Sequence, residues 1–283
     1  MSGRLKGILA LVGSAFGFAT MAMCVRLCDD CGGAVSSIQK SFFRNLVALA
    51  VAAFVFVRCG FRLSSAPMKA STWGVLLLRA LFGTAGIFAN FYALGHIPIA
   101  DGQALNKTAP FFTVLFAWIF MGERMSLRQV GALVLGFLGA LLVVKPGGAS
   151  CGAAAVGLFS GFCAGTAYAC LRKLALAGVR GPFIVLFFSV FSCLASVPFM
   201  CHRLDPMSAR QVLVLLGAGV GAAVGQFGIT AAYRFAPPKS IAVYDYTSIL
   251  FAAAYGFVLF GQVPDLLSVL GFAVILFAAV RNR

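Results

Sequence analysis

Four apolar segments of the chain each carry polar or ionisable side chains at helical spacing, and these residues have the chemistry to bind a polar ligand. The four sets are Arg79, Gly83, Gly86 and Asn90; Gln103, Asn106, Lys107 and Pro110; Gln226, Thr230 and Tyr233; and Ile241, Asp245, Ser248, Ala252 and Tyr255. Residues three or four positions apart share one face of a helix. An ionised group inside a bilayer costs about 2.5–3.5 kcal/mol, so it normally faces a protein or water interior. The four stripes therefore predict the walls of one polar cavity.

Asn106-Lys107 and Asp245-Tyr246 occupy equivalent positions in two similar stretches of sequence. In both stretches a proline loop, at Pro98 and at Pro237, leads into an apolar helix that ends at a glycine turn. We hypothesise that Lys107 and Asp245 pair in one state, or share a zwitterionic or anionic substrate. A permanent structural ion pair is the alternative.

We predict that the substrate contacts the polar members of these stripes and one further aromatic residue. The predicted substrate-binding residues are Lys107, Asn106, Gln103, Asn90, Arg79, Gln226, Tyr233, Asp245, Ser248 and Tyr168. Asp245 is also the predicted site of proton coupling. An alternative for Arg79 is that it snorkels to the membrane surface, because it lies near the start of its helix. Arg44 is interpreted as a member of a structural ion pair.

The composition places these residues in a membrane protein. Hydrophobic residues make up 61% of the 283 residues and charged residues only 10%, with a mean hydropathy of +1.01, whereas soluble domains contain about 25% charged residues. A spanning helix needs about 20 apolar residues. The predicted spans are 7–27, 37–57, 73–94, 100–121, 127–144, 153–171, 182–200, 212–233, 240–260 and 265–280. We therefore predict an all-α membrane protein with ten transmembrane helices.

The net charge of +15 is explained by membrane orientation. Most of the 22 Lys and Arg residues fall in the segments that share one side with the N-terminus. Cytoplasmic loops carry an excess of Lys and Arg, so both termini are predicted to be cytoplasmic in a bacterial inner (plasma) membrane. A nucleic-acid partner is not predicted.

The ten predicted helices divide into two halves of five, residues 1–148 and 149–283. Gly13 and Gly17 in the first predicted helix match Gly161 and Gly165 in the sixth. Because five is an odd number, the second half enters the membrane from the opposite face, which predicts inverted repeats. Stripes of small residues let helices pack closely in lipid.

The motif residues resemble the EamA family of the drug/metabolite transporter superfamily over nearly the whole chain. They are Phe43-Arg44, Pro98, Pro110, Gly122-Glu123, Gly131 and Gly136. The resemblance implies a central cavity lined by helices one, three, four, six, eight and nine. It also implies alternating access and, in bacterial members, export of amino acids or other small metabolites. Gln262 stands where the repeat of Glu123 is expected, which departs from the family pattern.

We therefore predict a secondary transporter that exports an amino acid or a related small polar metabolite across the plasma membrane. A carrier or antiporter for nucleotide-linked or phosphorylated sugars is the alternative, and it would require more cationic groups than Lys107 and Arg79. A membrane-embedded enzyme is a third possibility, but the chain has no evident nucleophile–base pair or metal cluster. No cofactor or metal is predicted. The expected partners are the substrate, membrane lipid and a coupling proton or exchange substrate, and the protein is expected to be a monomer or homodimer.

Overall fold

The computed structural model describes residues 2–33, 35–65, 67–96, 105–144, 151–202, 204–260 and 265–281. These residues form ten α-helices of at least 13 residues and no named β-strand, so the prediction of an all-helical fold is confirmed. The helices are α1 Gly3–Asp30, α2 Ser37–Arg58, α3 Ala70–His96, α4 Ala109–Met121, α5 Leu127–Val144, α6 Cys151–Leu176, α7 Gly181–His202, α8 Ala209–Phe235, α9 Thr247–Phe260 and α10 Leu266–Arg281.

The helices have the length and surface of membrane spans. Within the described residues, seven stretches are long and apolar enough to cross a bilayer, and α4, α5 and α10 are shorter apolar helices. Large apolar side chains such as Phe54, Leu194 and Leu213 point outward from the bundle. An apolar exterior of this kind suits lipid rather than water as the surrounding solvent. The chain is therefore a multi-pass membrane protein.

The predicted span 100–121 is interrupted near its start, after the helical residues Leu105 and Asn106. Lys107 and Thr108 form a turn, and α4 starts at Ala109 with Pro110 in its first turn. Proline favours the start of a helix because its missing N–H would be unpaired there in any case. Pro110 therefore begins α4 rather than sharing an uninterrupted stripe with the residues before it. Gln103 and the Pro98 loop lie outside the described residues.

The ninth predicted span, 240–260, is likewise interrupted near its start. A short helix Pro238–Ile241 is followed by a 3₁₀ helix Ala242–Tyr246, and α9 starts only at Thr247. The Thr247 hydroxyl donates to the Tyr244 carbonyl over 2.7 Å, which fixes the turn into α9. Lys107 thus lies in a turn and Asp245 in a 3₁₀ helix, each just before an α-helix begins. Gln262 lies outside the described residues.

Helix packing follows a regular pattern. The most extensive contacts join α1 to α8, α3 to α6, α5 to α10 and α2 to α7, and further contacts join α4 to α6 and α1 to α9. The contacts occur in matched sets when each helix is paired with the helix five places along the chain. The α1–α8 contact then corresponds to the α6–α3 contact, and the α4–α6 contact corresponds to the α9–α1 contact. At the α1–α8 contact, a Cβ added to Gly17 would lie 2.6 Å from the Gly225 nitrogen and 2.7 Å from the Gly221 carbonyl oxygen. The glycine stripes therefore provide close backbone approach between helices.

The bundle has two faces. The start of α1 lies beside the end of α8, since a Cβ on Gly3 would be 3.1 Å from the Phe235 carbonyl oxygen. The end of α4 lies on the same side, because Lys239 just beyond α8 donates to the Arg124 carbonyl over 3.4 Å. We call this side the terminal face and the other side the opposite face.

Candidate functional site: a buried polar cluster between the helices

The predicted pairing of Lys107 with Asp245 is present. Lys107 Nζ lies 3.3 Å from Asp245 Oδ2, and the two side chains are only 10% and 8% exposed. Lys107 lies in the turn just before α4, and Asp245 lies in the 3₁₀ helix just before α9. The ion pair joins segments that are far apart in the sequence.

The pair lies deep in the bundle, where two helices begin and run in opposite directions. From Lys107, α4 extends 13 residues to the terminal face, about 20 Å at 1.5 Å per residue. From Asp245, α9 extends 14 residues the other way, and Tyr255 Oη lies 2.6 Å from Thr20 Oγ1, well along α1. Because the hydrocarbon core is about 30 Å thick, the ion pair falls near its middle. Both helix N-termini place partial positive charge beside Asp245.

Three tyrosines interact electrostatically with the Asp245 carboxylate. Tyr168, Tyr233 and Tyr246 all lie within electrostatic range of Asp245. The Tyr168 and Tyr233 rings are 6.0 Å apart, and the buried Tyr246 Oη has no hydrogen-bond partner. Tyr168 also lies within electrostatic range of Arg44. The tyrosines therefore place apolar rings and polar hydroxyl groups in the region of the ion pair.

Arg79 is directed into the bundle, so the snorkelling alternative is wrong. Its side chain is buried, with the residue only 2% exposed. Arg79 Nη2 donates to Gln226 Oε1 over 2.8 Å, and the guanidinium lies 4.2 Å from the centroid of the Phe188 ring. An added Cβ at Gly83 would collide with Arg79 Nη1, so Gly83 provides the room for this conformation. This contact joins α3 to α7 and α8.

Arg44 lies in the same region, and its interpretation as a structural ion pair is wrong for the described part of the chain. The residue is 2% exposed, and its Nε has no hydrogen-bond partner. Its neighbour Asn45 donates to Ser192 Oγ over 2.7 Å, which ties α2 to α7 at this level. Arg44 and Arg79 are close enough to interact electrostatically. The sequence signal was a charged residue inside an apolar helix, but its partners could not be read from it.

The remaining predicted residues are distributed less tightly. Asn106 Nδ2 donates to Ser160 Oγ over 3.2 Å, and Ser248 Oγ donates to the Asp245 carbonyl over 2.8 Å. Asn90 Oδ1 is buried without a hydrogen-bond partner, but Asn90 lies about 16 Å along α3 from Arg79. The cluster therefore contains Lys107, Asp245, Tyr168, Tyr233, Arg79 and Gln226, with Asn106 and Ser248 beside it.

Separate contacts close the bundle above and below the cluster. On the terminal face, Arg172 Nε lies 3.3 Å from Glu123 Oε1, and Arg172 Nη1 donates to the Tyr233 carbonyl. On the opposite face, Gln39 Nε2 donates to the Asp205 carbonyl over 2.9 Å, and Gln39 Oε1 accepts from the Asp205 N–H. Sequence reasoning identified Glu123 as a motif residue but not its partner. The cluster is enclosed from both sides.

Comparison with known proteins identifies the class of protein that carries this arrangement. Residues 5–145 match the EamA-like transporter family. The chain is 31% identical to a pseudopaline exporter of Pseudomonas aeruginosa over 97% of this chain and 95% of that protein. It is 25% identical to a riboflavin transporter of Brucella anthropi over 82% of each chain. A protein of known crystal structure superposes with a TM-score of 0.82 at 17% identity, covering 98% of this chain and 96% of that one.

The last likeness concerns the fold alone, whereas the first relative is similar enough in sequence and length to establish the family. The predicted resemblance is thereby confirmed. The chain belongs to the EamA-like transporter family, within the drug/metabolite transporter superfamily.

Proposed function

We propose that this membrane transporter is a secondary exporter of a small polar metabolite, an amino acid or a related compound, and that it works by alternating access. The observation that carries the proposal is the Lys107–Asp245 ion pair, buried where α4 and α9 begin. A zwitterion carries a carboxylate and an ammonium group. Its carboxylate can take the place of Asp245 beside Lys107, and its ammonium group can take the place of Lys107 beside Asp245. When no substrate is present, the two substrate-binding side chains Lys107 and Asp245 therefore pair with each other.

Alternating access follows from the proposed ten-span arrangement of two inverted repeats, residues 1–148 and 149–283. The helix contacts support it, because the α1–α8 and α3–α6 contacts exchange when each helix is replaced by the one five places away. An inverted repeat lets the same structure open to either side of the membrane. The positive-inside distribution supports cytoplasmic termini and a bacterial inner membrane.

The two closures define the proposed gates. The Glu123–Arg172 contact would break when the terminal face opens, and the Gln39–Asp205 hydrogen bonds would break when the opposite face opens. Between these events Asp245 would couple transport to a proton, since it is the only acidic residue in the described part of the cluster. The other proposed substrate contacts are Asn90, Asn106, Gln226, Ser248 and Tyr168, together with Gln103 outside the described residues.

A carrier of nucleotide-linked or phosphorylated sugars is the second candidate. That function requires more cationic groups than Lys107 and Arg79, and the structure brings Arg44 into the same region. Catalysis is not proposed, because the family and the named relatives are transporters.

The test is exchange in proteoliposomes. The purified protein is reconstituted with an internal pool of unlabelled neutral amino acids, acidic amino acids or sugar phosphates, and uptake of the matching labelled compounds is measured. We expect exchange with one pool, and loss of that exchange in Lys107→Met and Asp245→Asn. Arg58→Met, an exposed surface change, is the control. Normal exchange in both cluster variants at normal expression would contradict the proposal, as would folded wild-type protein that exchanges no pool.

A further inference from the structure

Among the described residues, two arginines in the middle of the bundle have none of the acidic partners that buried cations normally have. Arg44 and Arg79 are each 2% exposed, and the Nε atom of each is buried without a hydrogen-bond partner. The ion pairs of the described residues join Lys40 to Asp29, Lys107 to Asp245, and Arg172 to Glu123, and none involves these two guanidiniums.

The contacts that Arg79 does make leave its charge uncompensated. Its hydrogen bond to Gln226 is made with a neutral amide, and its contact with Phe188 is a cation–π interaction. A cation–π contact is worth about 2 kcal/mol when desolvated, which is less than the several kcal/mol that burying an ion costs. Arg44 lies close enough to add electrostatic repulsion. The contacts made by the described residues therefore do not offset the free-energy cost of burying either guanidinium.

The charge balance of the cluster points to what compensates them. Among the described residues, the buried charged residues are Lys40, which pairs with Asp29 away from the cluster, and Arg44, Arg79, Lys107 and Asp245. One lysine balances one aspartate, so both guanidinium charges remain in excess. Buried polar groups that the fold leaves unsatisfied are characteristic of sites that a ligand completes.

We propose that Arg44 and Arg79 form an oxyanion site, and that the transported metabolite carries a net negative charge. This inference rests on the proposed function. A guanidinium presents a planar fork of N–H donors that matches a carboxylate or a phosphate in a bidentate geometry. Tyr168 lies within electrostatic range of both arginines and of Asp245, which links this site to the Lys107–Asp245 pair.

The arrangement predicts a substrate with two recognition points. An oxyanion binds at Arg44 and Arg79, and a second polar group binds at the Lys107–Asp245 pair. An acidic amino acid derivative, with one carboxylate more than its ammonium groups, fits both points. A sugar phosphate fits the oxyanion site and offers hydroxyl groups to the ion pair. A neutral amino acid has no net negative charge, so it would not compensate the excess positive charge of Arg44 and Arg79.

The first experiment needs no substrate. Melting temperatures are measured for the purified wild type, Arg44→Met and Arg172→Met. Met fills similar space without charge, so Arg44→Met should melt higher than the wild type by about 2–4 °C. Arg172→Met is the matched control, since it removes a guanidinium that has an acidic partner, and it should melt lower. An Arg44→Met protein that melts at or below the wild-type temperature would show that the fold needs this charge, and would overturn the proposal.

The second experiment identifies the anion. The same melts are repeated with potassium glutamate, succinate or glucose 6-phosphate and with L-leucine, at equal ionic strength. Glutamate or succinate should raise the wild-type melting temperature more than that of Arg44→Met, and Arg79→Lys should reduce the rise because it keeps the charge but loses the fork. A rise with glucose 6-phosphate alone supports the same site with a phosphate ligand. Stabilisation by leucine alone, equal in all variants, would refute the oxyanion site while leaving the exporter proposal intact.

Discussion

The buried ion pair between Lys107 and Asp245 gives the sharpest quantitative prediction. Removing either partner alone leaves the other charge buried and unpaired, whereas removing both leaves neither. We therefore expect Lys107→Met and Asp245→Asn each to reduce the free energy of unfolding by more than the double variant does.

The magnitude follows from the geometry. Two unit charges 3.3 Å apart attract with about 5 kcal/mol at an effective dielectric constant of about 20. Breaking a buried pair by removing one partner typically costs about 3–5 kcal/mol. Each single variant should therefore lose about 3–5 kcal/mol of unfolding free energy. The coupling energy from the double-mutant cycle should exceed the roughly 0.6 kcal/mol average measured for hydrogen-bonded side chains between membrane helices.

The assay is reversible unfolding in mixed micelles, followed by circular dichroism, for the wild type, both single variants and the double variant. The matched control is the cycle of Lys40→Met and Asp29→Asn. That ion pair is shorter, with Lys40 Nζ 2.6 Å from Asp29 Oδ1, but the Asp29 side chain is 42% exposed. Solvent screening should reduce its coupling energy to about 1 kcal/mol or less.

Additive single effects would refute this reasoning. If the double variant loses the sum of the two single losses within about 0.5 kcal/mol, Lys107 and Asp245 do not interact in the folded protein. Additive effects in the Lys40→Met and Asp29→Asn control cycle alone would be consistent with the prediction, because that exposed pair is expected to have a small coupling energy.

Three further predictions concern backbone geometry and gating. Gly17→Ala should lose about 1–3 kcal/mol of stability, because the new Cβ would lie 2.6 Å from a backbone nitrogen of α8; Gly13→Ala, which meets nothing within 4 Å, should melt no lower than the wild type. Gly122→Ala should lose about 1 kcal/mol, since Gly122 has a φ of 68° and a Cβ is strained there; a melting curve identical to that of the wild type would contradict this. Glu123→Gln removes the ion pair to α6, and should speed alkylation of buried Cys170 by a maleimide, measured by peptide mapping; an unchanged rate would show that this contact is not a gate.

Local sequence pattern was sufficient for the helices and for their polar faces. The four polar stripes follow the 3.6-residue period, and the sequence similarity between the two halves matches Asn106-Lys107 with Asp245-Tyr246. The interruptions near the starts of the fourth and ninth spans were not predicted, because hydropathy alone does not show where the backbone leaves α-helical geometry. Pro110 was the available signal for α4, since proline favours the first turn.

The two arginines show where sequence reasoning stops. The depth of Arg79 along α3 was compatible with snorkelling or with burial, and only the position of Gln226 on α8 distinguishes them. Arg44 was expected to have an ionic partner because a buried cation usually does. Whether a partner exists depends on which side chains of α6, α7 and α8 face it, and no feature of α2 contains that information.

The sequence by itself determined that this protein is a helical membrane protein of a known transporter family. Those properties depend on local composition and motif, since an apolar segment enters the bilayer whatever its neighbours are. Only the tertiary structure decided that Lys107 meets Asp245, that Glu123 meets Arg172, and that Arg44 and Arg79 have no acidic partner among the described residues. Electrostatic pairing falls off within a few ångströms, so it depends on the relative rotation and depth of helices that are distant along the chain.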